Sequence, residues 1–120
     1  MRIFHHIGLP TDEEQPGEVY VEDTKVWVTD PADHPRRVEF LRFADDSPVT
    51  GPVRELPHMA FRVDDMETAL AGEEIILAPF SPRDGLIVAF FARDGAVFEY
   101  MQFAGEATEF RDLNEISGEG

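Results

Sequence analysis

The segment from Pro57 to Phe103 constrains the fold most, because its apolar pattern predicts a strand, a short helix and three further strands in that order. Alternation along residues 58–63 places His58, Ala60 and Arg62 on one face of the first strand and Met59, Phe61 and Val63 on the other. The apolar face needs a cover, so we expect His58 to point away from that cover into whatever the sheet encloses.

A short helix after this strand supplies the cover. Asp64 or Asp65 is a suitable N-cap residue. The helix would then present a stripe of apolar side chains at helical spacing, namely Met66, Ala69 and Leu70. We expect this stripe to pack on the apolar face of the preceding strand.

The three remaining strands of the segment are separated by turn signals. Residues 74–80 and 86–91 read as strands, and Pro82–Gly85 between them reads as a turn. Arg93-Asp94-Gly95 predicts a tight hairpin into the last strand.

The last strand carries a carboxylate among apolar neighbours. Glu99 shares a face with Val97 and Met101. Burying such a group is costly unless it is paired, hydrogen-bonded or bound to a metal. Together with His58, Glu99 makes a metal site a candidate explanation.

These residues resemble a known family. His-Met-Ala-Phe-Arg-Val-Asp-Asp at 58–65, the short helix, the Arg-Asp-Gly turn and Val-Phe-Glu-Tyr-Met-Gln at 97–102 resemble the second βαβββ module of the vicinal oxygen chelate superfamily. That superfamily includes glyoxalases, epimerases, extradiol dioxygenases and bleomycin-resistance proteins. The resemblance covers nearly all of residues 57–103 and implies an α+β fold of paired βαβββ modules that form a cup-shaped mixed sheet.

The resemblance also implies the domain layout. We expect one domain over residues 1–104, with modules at about 1–45 and 56–104, followed by an acidic C-terminal tail over 105–120. In that tail the spacing of Phe110, Leu113 and Ile116 fits either a short docking helix or a frayed end.

The first module departs from the family pattern. Residues 18–23 and 25–29 alternate as strands, but nothing before them has the length of the family's first helix, and Pro16-Gly17 would stop one. We therefore expect a truncated first module that lacks its long helix. In the opening strand, His6 matches the family's first metal ligand, and His5 would point outward.

A carboxylate in the strand at residues 37–43 matches the second ligand position. Glu39 lies in a strand with two largely apolar faces, so we expect it to be buried. The rival explanation is an ion pair with Arg37, Arg42 or another basic group. Arg62 would either pair with a carboxylate or stay at the rim to bind a substrate carboxylate.

The implied constellation is His6, Glu39, His58 and Glu99 around one divalent metal ion (Zn, Ni, Co, Mn or Fe). By resemblance, Glu99 is the preferred base and Glu39 its counterpart. The implied activity is that of a metal-dependent glyoxalase-like lyase or isomerase. Its substrate would be a small molecule with adjacent oxygens, processed through an enediolate-type intermediate.

Two alternatives remain open. Without Glu39, the other three ligands form a two-His-one-Glu iron site of the extradiol dioxygenase type. A metal-free cup that binds a small molecule, as in bleomycin-resistance proteins, is the third candidate.

Composition limits the partners. A net charge of −15 disfavours nucleic acid and anionic membrane surfaces, and the absence of cysteine excludes thiolate chemistry. No signal-peptide or membrane-spanning pattern is evident, so we expect a cytoplasmic protein. The resemblance adds a small-molecule substrate and a homodimer.

Overall fold

The fold is one mixed sheet with short helices. In the computed structural model, residues 1–117 are described, and from residue 114 onward only the backbone. The strands are β1 (Arg2–Pro10), β2 (Val19–Val21), β3 (Val26–Val28), β4 (Val38–Phe43), β5 (His58–Val63), β6 (Glu74–Arg83), β7 (Leu86–Arg93) and β8 (Ala96–Phe103). The helices are α1 (Pro52–Glu55), α2 (Met66–Leu70) and α3 (Phe110–Ser117), with a 3₁₀ turn at Pro31–Asp33.

The strand order confirms the paired modules. All eight strands form one sheet in the order β2-β3-β4-β1-β5-β8-β7-β6. In each half the first and last strands pair in parallel, β1 with β4 and β5 with β8, and the two halves meet through the antiparallel pair β1–β5. The sheet curls into the predicted α+β cup, so the four strands that carry the candidate ligands lie side by side at its centre.

The second module forms as its sequence predicts. Asp65 caps α2, since its carboxylate accepts a hydrogen bond from the Thr68 backbone N–H. Met66 and Leu70 of α2 are buried in a cluster with Val63 of β5 and Phe91 of β7. This packing leaves the opposite face of β5, with His58, toward the inside of the cup.

The predicted hairpin also forms. Asp94 and Gly95 connect β7 to β8 with φ angles of 54° and 77°, the positive pair that a two-residue type I′ turn requires. The preceding turn is shorter than predicted, because β6 continues through Pro82 to Arg83. Only Asp84 and Gly85 connect β6 to β7.

The first module is truncated, as expected. Its outer strands β2 and β3 have 3 residues each, against 10 and 8 for their counterparts β6 and β7. No helix lies between β1 and β2 in the described chain. The cup is therefore less enclosed on this side.

Of the two expected alternatives, a short docking helix and a frayed end, the C-terminal segment forms the docking helix. Phe110 and Leu113 of α3 are 8% and 1% exposed and belong to the same apolar cluster as Val53 and Met101. The side chain of Ile116 lies outside the described residues. α3 thus forms part of the cup wall. No helix within residues 1–117 is long and apolar enough to cross a membrane.

Candidate metal centre

The register of the central strands brings the four predicted ligands together. Gly8 on β1 lies opposite Glu39 on β4 and His58 on β5. Two residues back along β1, His6 lies opposite Ala60, which in turn lies opposite Glu99 on β8. The two histidines and two glutamates therefore occupy neighbouring rungs of four adjacent strands and face the same side.

Their side chains converge and are buried. His6 and His58 are 0% and 1% exposed, and Glu39 and Glu99 are each 6% exposed. Nε2 of His6 lies 3.2 Å from Oε1 of Glu39 and 3.4 Å from Oε1 of Glu99. Nε2 of His58 lies 3.7 Å and 3.1 Å from the same two oxygens.

This geometry fits a metal ion. Bonds of about 2.0–2.2 Å from a metal to nitrogen and oxygen hold neighbouring ligand atoms roughly 3–3.5 Å apart, close to the separations found here. One ligand atom from each residue lies within 4.8 Å of all the others. Nε2 of both histidines has no hydrogen-bond partner among the described residues, which is costly for a buried polar atom that nothing binds. The residues present fit a divalent cation with mixed imidazole and carboxylate ligands.

Gly8 makes room for one of these ligands. A Cβ atom at position 8 would lie 2.6 Å from Nδ1 of His58 and nearer still to Cε1 and Nε2. The His58 ring therefore lies flat over the bare backbone of Gly8, and any side chain at this position would displace it.

His5 does not point outward, and that prediction was wrong. The register of β1 against β5 shifts between Phe4 and His6, so a β-bulge at His5 turns its side chain toward the cup. The residue is 1% exposed, and its ring packs against the rings of Phe103 and Phe110. Strict alternation cannot reveal such a bulge.

Both ring nitrogens of His5 have partners. Nδ1 lies 2.7 Å from Nδ1 of His6, and Nε2 lies 3.0 Å from the backbone oxygen of Thr108, which precedes α3. Burial, together with the neighbouring charge of His6, lowers the pKa of His5 to about 4. His5 is therefore neutral near pH 7.

In the metal-free chain the cluster holds a proton where the cation would bind. Burial by itself would lower the pKa of His6, but the facing carboxylates of Glu39 and Glu99 outweigh burial and raise it to about 10. Burial would likewise raise the pKa of Glu99, but the facing imidazoles of His58 and His6 outweigh burial and lower it to about 2. Negative charge is thus concentrated where a cation would sit.

Glu39 forms no ion pair with an arginine in the described structure. Arg37 pairs with Glu109 at 2.7 Å, and Arg42 pairs with Glu18. Arg62 is half-buried and forms no hydrogen bond or ion pair within residues 1–113. The two carboxylates of the cluster therefore face histidines alone.

A cavity opens from the carboxylates into the cup. It has a volume of about 70 Å³, and Glu39 and Glu99 are among its lining residues. Its walls are mainly aliphatic and aromatic, including Val28, Leu41, Val88, Phe90 and Phe110. Arg83 is the one basic residue among its described lining residues, and Arg62 does not line it. Sequence reasoning missed the cavity's dependence on α3, because Phe110 comes from the segment assigned to the tail.

Three other side chains that could serve in acid–base chemistry lie away from the cluster. Tyr20 is 43% exposed on the edge strand β2. The Tyr100 hydroxyl accepts a hydrogen bond from Arg2 on the α2-covered face of the sheet. His34 accepts one from the Arg36 N–H within its own turn. None of the three reaches the cluster.

Solved structures of other proteins share this fold. One similar solved structure is the hypothetical protein BH1468 from Bacillus halodurans C-125, with a TM-score of 0.62 and 16% identity over 89% of this chain and 98% of that chain. Another is methylmalonyl-CoA epimerase from Mycobacterium tuberculosis, with a TM-score of 0.56 and 14% identity over 86% of this chain and 89% of that one. No protein-family model and no curated protein sequence matches the chain. The likeness therefore concerns the fold.

Proposed function

We propose that this protein is a metal-dependent lyase or isomerase of the glyoxalase type, acting on a small substrate with adjacent oxygens. The observation that carries the proposal is the buried His-Glu-His-Glu cluster, whose ligand atoms converge within 4.8 Å of one another. Four ionisable side chains with so little exposure are too costly to bury without a cation or a compensating proton.

Each residue of the cluster has a proposed role in binding the metal or transferring a proton. His6, Glu39, His58 and Glu99 would hold a divalent ion, which supplies Lewis-acid polarisation of a substrate carbonyl. Glu99 is the proposed general base that removes a proton from the carbon next to that carbonyl and returns it to a neighbouring atom. Glu39 is its proposed counterpart in the first module.

The cavity supports a small and mainly apolar substrate. A volume of about 70 Å³ accommodates only a compact reacting portion. The apolar walls exclude water from the proton-transfer site, which protects the carbanion-like intermediate from unwanted protonation. Arg83 lines this cavity with its guanidinium over the Phe110 ring and is the proposed partner of a substrate carboxylate.

Metal content of the purified protein tests the site. We expect about one divalent ion per chain by elemental analysis, with loss of the ion in His58→Ala and in Glu39→Gln. Arg62→Ala, outside the cluster, is the matched control and should keep its metal. A wild-type chain that takes up none of Zn, Ni, Co, Mn or Fe on incubation would rule the proposal out.

Proton transfer is then tested by isotope exchange. In D₂O, the metal-loaded protein should replace the proton next to the carbonyl of small 2-hydroxy-ketones and 2-oxoaldehyde adducts with deuterium, followed by proton NMR. At a metal concentration that keeps the variant loaded, as checked by elemental analysis, Glu99→Gln should slow that exchange by at least about 10²-fold. Consumption of oxygen with catechols by the iron-loaded protein, without such exchange, would favour the dioxygenase alternative.

Three further expectations stay predictions. They are substrate binding by Arg62, assembly as a homodimer and a cytoplasmic location. The first is checked by substrate affinity of Arg62→Ala, the second by sedimentation analysis and the third by cell fractionation.

A further inference from the structure

His5 is a fully buried imidazole that the proposed chemistry does not use. It lies next to His6 in the chain, and the β-bulge turns both rings toward the inside of the cup. The two rings meet edge to face, with their centroids 5.0 Å apart, and their Nδ1 atoms are 2.7 Å apart. Two nitrogens at this distance must share one hydrogen, because two N–H groups or two lone pairs would repel.

The partner of the other His5 nitrogen decides which ring donates. Nε2 of His5 faces the backbone oxygen of Thr108 at 3.0 Å and a carboxylate oxygen of Glu109 at 3.3 Å. Both oxygens only accept, so Nε2 carries the hydrogen. The buried His5 ring packs against the rings of Phe103 and Phe110, and such an apolar setting favours the neutral imidazole, which has one N–H. His5 Nδ1 must therefore accept. The hydrogen between the rings belongs to Nδ1 of His6.

We infer that His5 is a positioning residue that fixes the metal-binding form of His6. With its proton held on Nδ1, His6 presents the lone pair of Nε2 to the point where Glu39 and Glu99 converge. A metal-binding histidine commonly donates its second N–H to a carboxylate or carbonyl oxygen. Here the acceptor is a second histidine, which in turn donates to the backbone before α3.

The segment before α3 is itself held in place. The Asp112 carboxylate accepts the backbone N–H groups of Thr108 and Glu109 at 2.9 Å and 3.0 Å. Arg37 donates to the Glu109 carboxylate at 2.7 Å and also to the backbone oxygen of His5. The docked C-terminal segment therefore sets the orientation of His5, and through it the ligand atom of His6.

The inference rests on the proposed metal site, and two variants test it through metal affinity. His5→Phe keeps a flat ring against Phe103 and Phe110 but removes the acceptor, and we expect Zn affinity to fall by about 10–100-fold. His5→Asn places an amide oxygen near the position of Nδ1 and should recover most of that loss. Titration calorimetry with Zn on the full chain measures both, and circular dichroism checks the fold.

A direct measurement does not depend on any variant. In the ¹⁵N-labelled wild-type chain, a hydrogen bond between the rings should give a ¹⁵N–¹⁵N scalar coupling between Nδ1 of His6 and Nδ1 of His5. In the Zn-loaded chain the shared hydrogen should remain covalently bound to His6. A shared hydrogen carried by His5, or no coupling at all, would overturn the inference even if His5→Phe does not fold.

The outcomes separate the two proposals. A wild-type chain that binds no Zn contradicts the metal site itself, whatever the NMR result. A wild-type chain that binds Zn no more tightly than a folded His5→Phe contradicts the positioning role alone. Equally weak Zn binding by His5→Asn and His5→Phe would mean that His5 contributes only by packing.

Discussion

Gly8 and His58 depend on each other for space, and this dependence can be measured. Because the His58 ring occupies the place of a Cβ at position 8, Gly8→Ala should push the ring out of the cluster. We expect the substitution to destabilise the chain by about 1–3 kcal/mol, the usual cost of overpacking. Zn affinity should fall at least about tenfold, which denaturation curves and calorimetry on the same preparation would show.

A double-mutant cycle isolates this contact. In a His58→Ala background the ring is gone, and Gly8→Ala should then change the free energy of unfolding by no more than about 0.5 kcal/mol. An equal loss of stability in both backgrounds would mean that the added methyl group strains the backbone of β1 and not the His58 ring.

His6 makes the stability of the metal-free chain depend on pH. Its pKa is raised from 6.5 to about 10 on folding, so its protonated form stabilises the fold fully below pH 6.5 and this contribution is lost as the pH rises through about 10. Glu99 acts in the other direction: its pKa falls from 4.5 to about 2, and its contribution is lost only as the pH falls through about 2. The metal-free chain should melt at a lower temperature at pH 10 than at pH 6.

His6→Gln is the matched control, since it removes the titrating group and keeps a polar side chain. Its melting temperature should change less between pH 6 and pH 10 than that of the wild type, measured by calorimetry in the presence of a chelator. Identical pH dependence in the two chains would show that the His6 ring is neutral in the folded, metal-free state.

The strands with regular alternation were the ones the sequence could predict. β5 and β8 alternate without interruption, so the inward direction of His58 and Glu99 followed from a period of two residues. β1 contains a bulge, and beyond it alternation gave the wrong direction for His5. The register among β4, β1, β5 and β8 depends on contacts distant in sequence, which local pattern does not contain.

The cup wall was the other feature beyond local pattern. Only the resemblance to a family joined Glu39 to the ligand set, because its neighbours Arg37 and Arg42 offered an equally simple ion-pair explanation. Those arginines pair instead with Glu109 and Glu18, partners that lie far along the chain. The docking of α3 depends on the same long-range packing.

The contribution of α3 to stability is testable at Leu113. This side chain is 1% exposed within the main apolar cluster, so Leu113→Ala should cost about 2–5 kcal/mol through lost burial and the cavity left behind. Chemical denaturation gives the value. Glu106→Ala, at an exposed site just before the helix, is the control and should stay within about 0.5 kcal/mol of wild type.

If α3 could detach without a loss of stability, the sheet alone would hold the wall of the cup in place. Leu113→Ala would then match Glu106→Ala in stability. The same comparison bears on His5, because the Thr108 oxygen reaches it only while the segment before α3 is docked.

The two halves of the molecule are joined through the site. The β1–β5 pair is the only strand pairing between the modules in the described sheet, and each module contributes one histidine and one glutamate to the cluster. A cation bound there would link the modules across their seam and offset the repulsion between two buried carboxylates. Metal binding should therefore stabilise the whole fold, in addition to ordering the site.

The size of that stabilisation follows from linkage. A ligand that binds only the folded chain at a hundred times its dissociation constant adds about 2.7 kcal/mol to the free energy of unfolding. Each kcal/mol of added stability shifts the melting temperature of a domain of about this size, 120 residues, by about 2–8 °C. The melting temperature should therefore rise by roughly 5–20 °C. The rise should reverse with a chelator and be absent in His58→Ala. Zn that leaves the wild-type melting temperature unchanged at saturation would mean that it binds folded and unfolded chains equally, and that the cluster does not hold it.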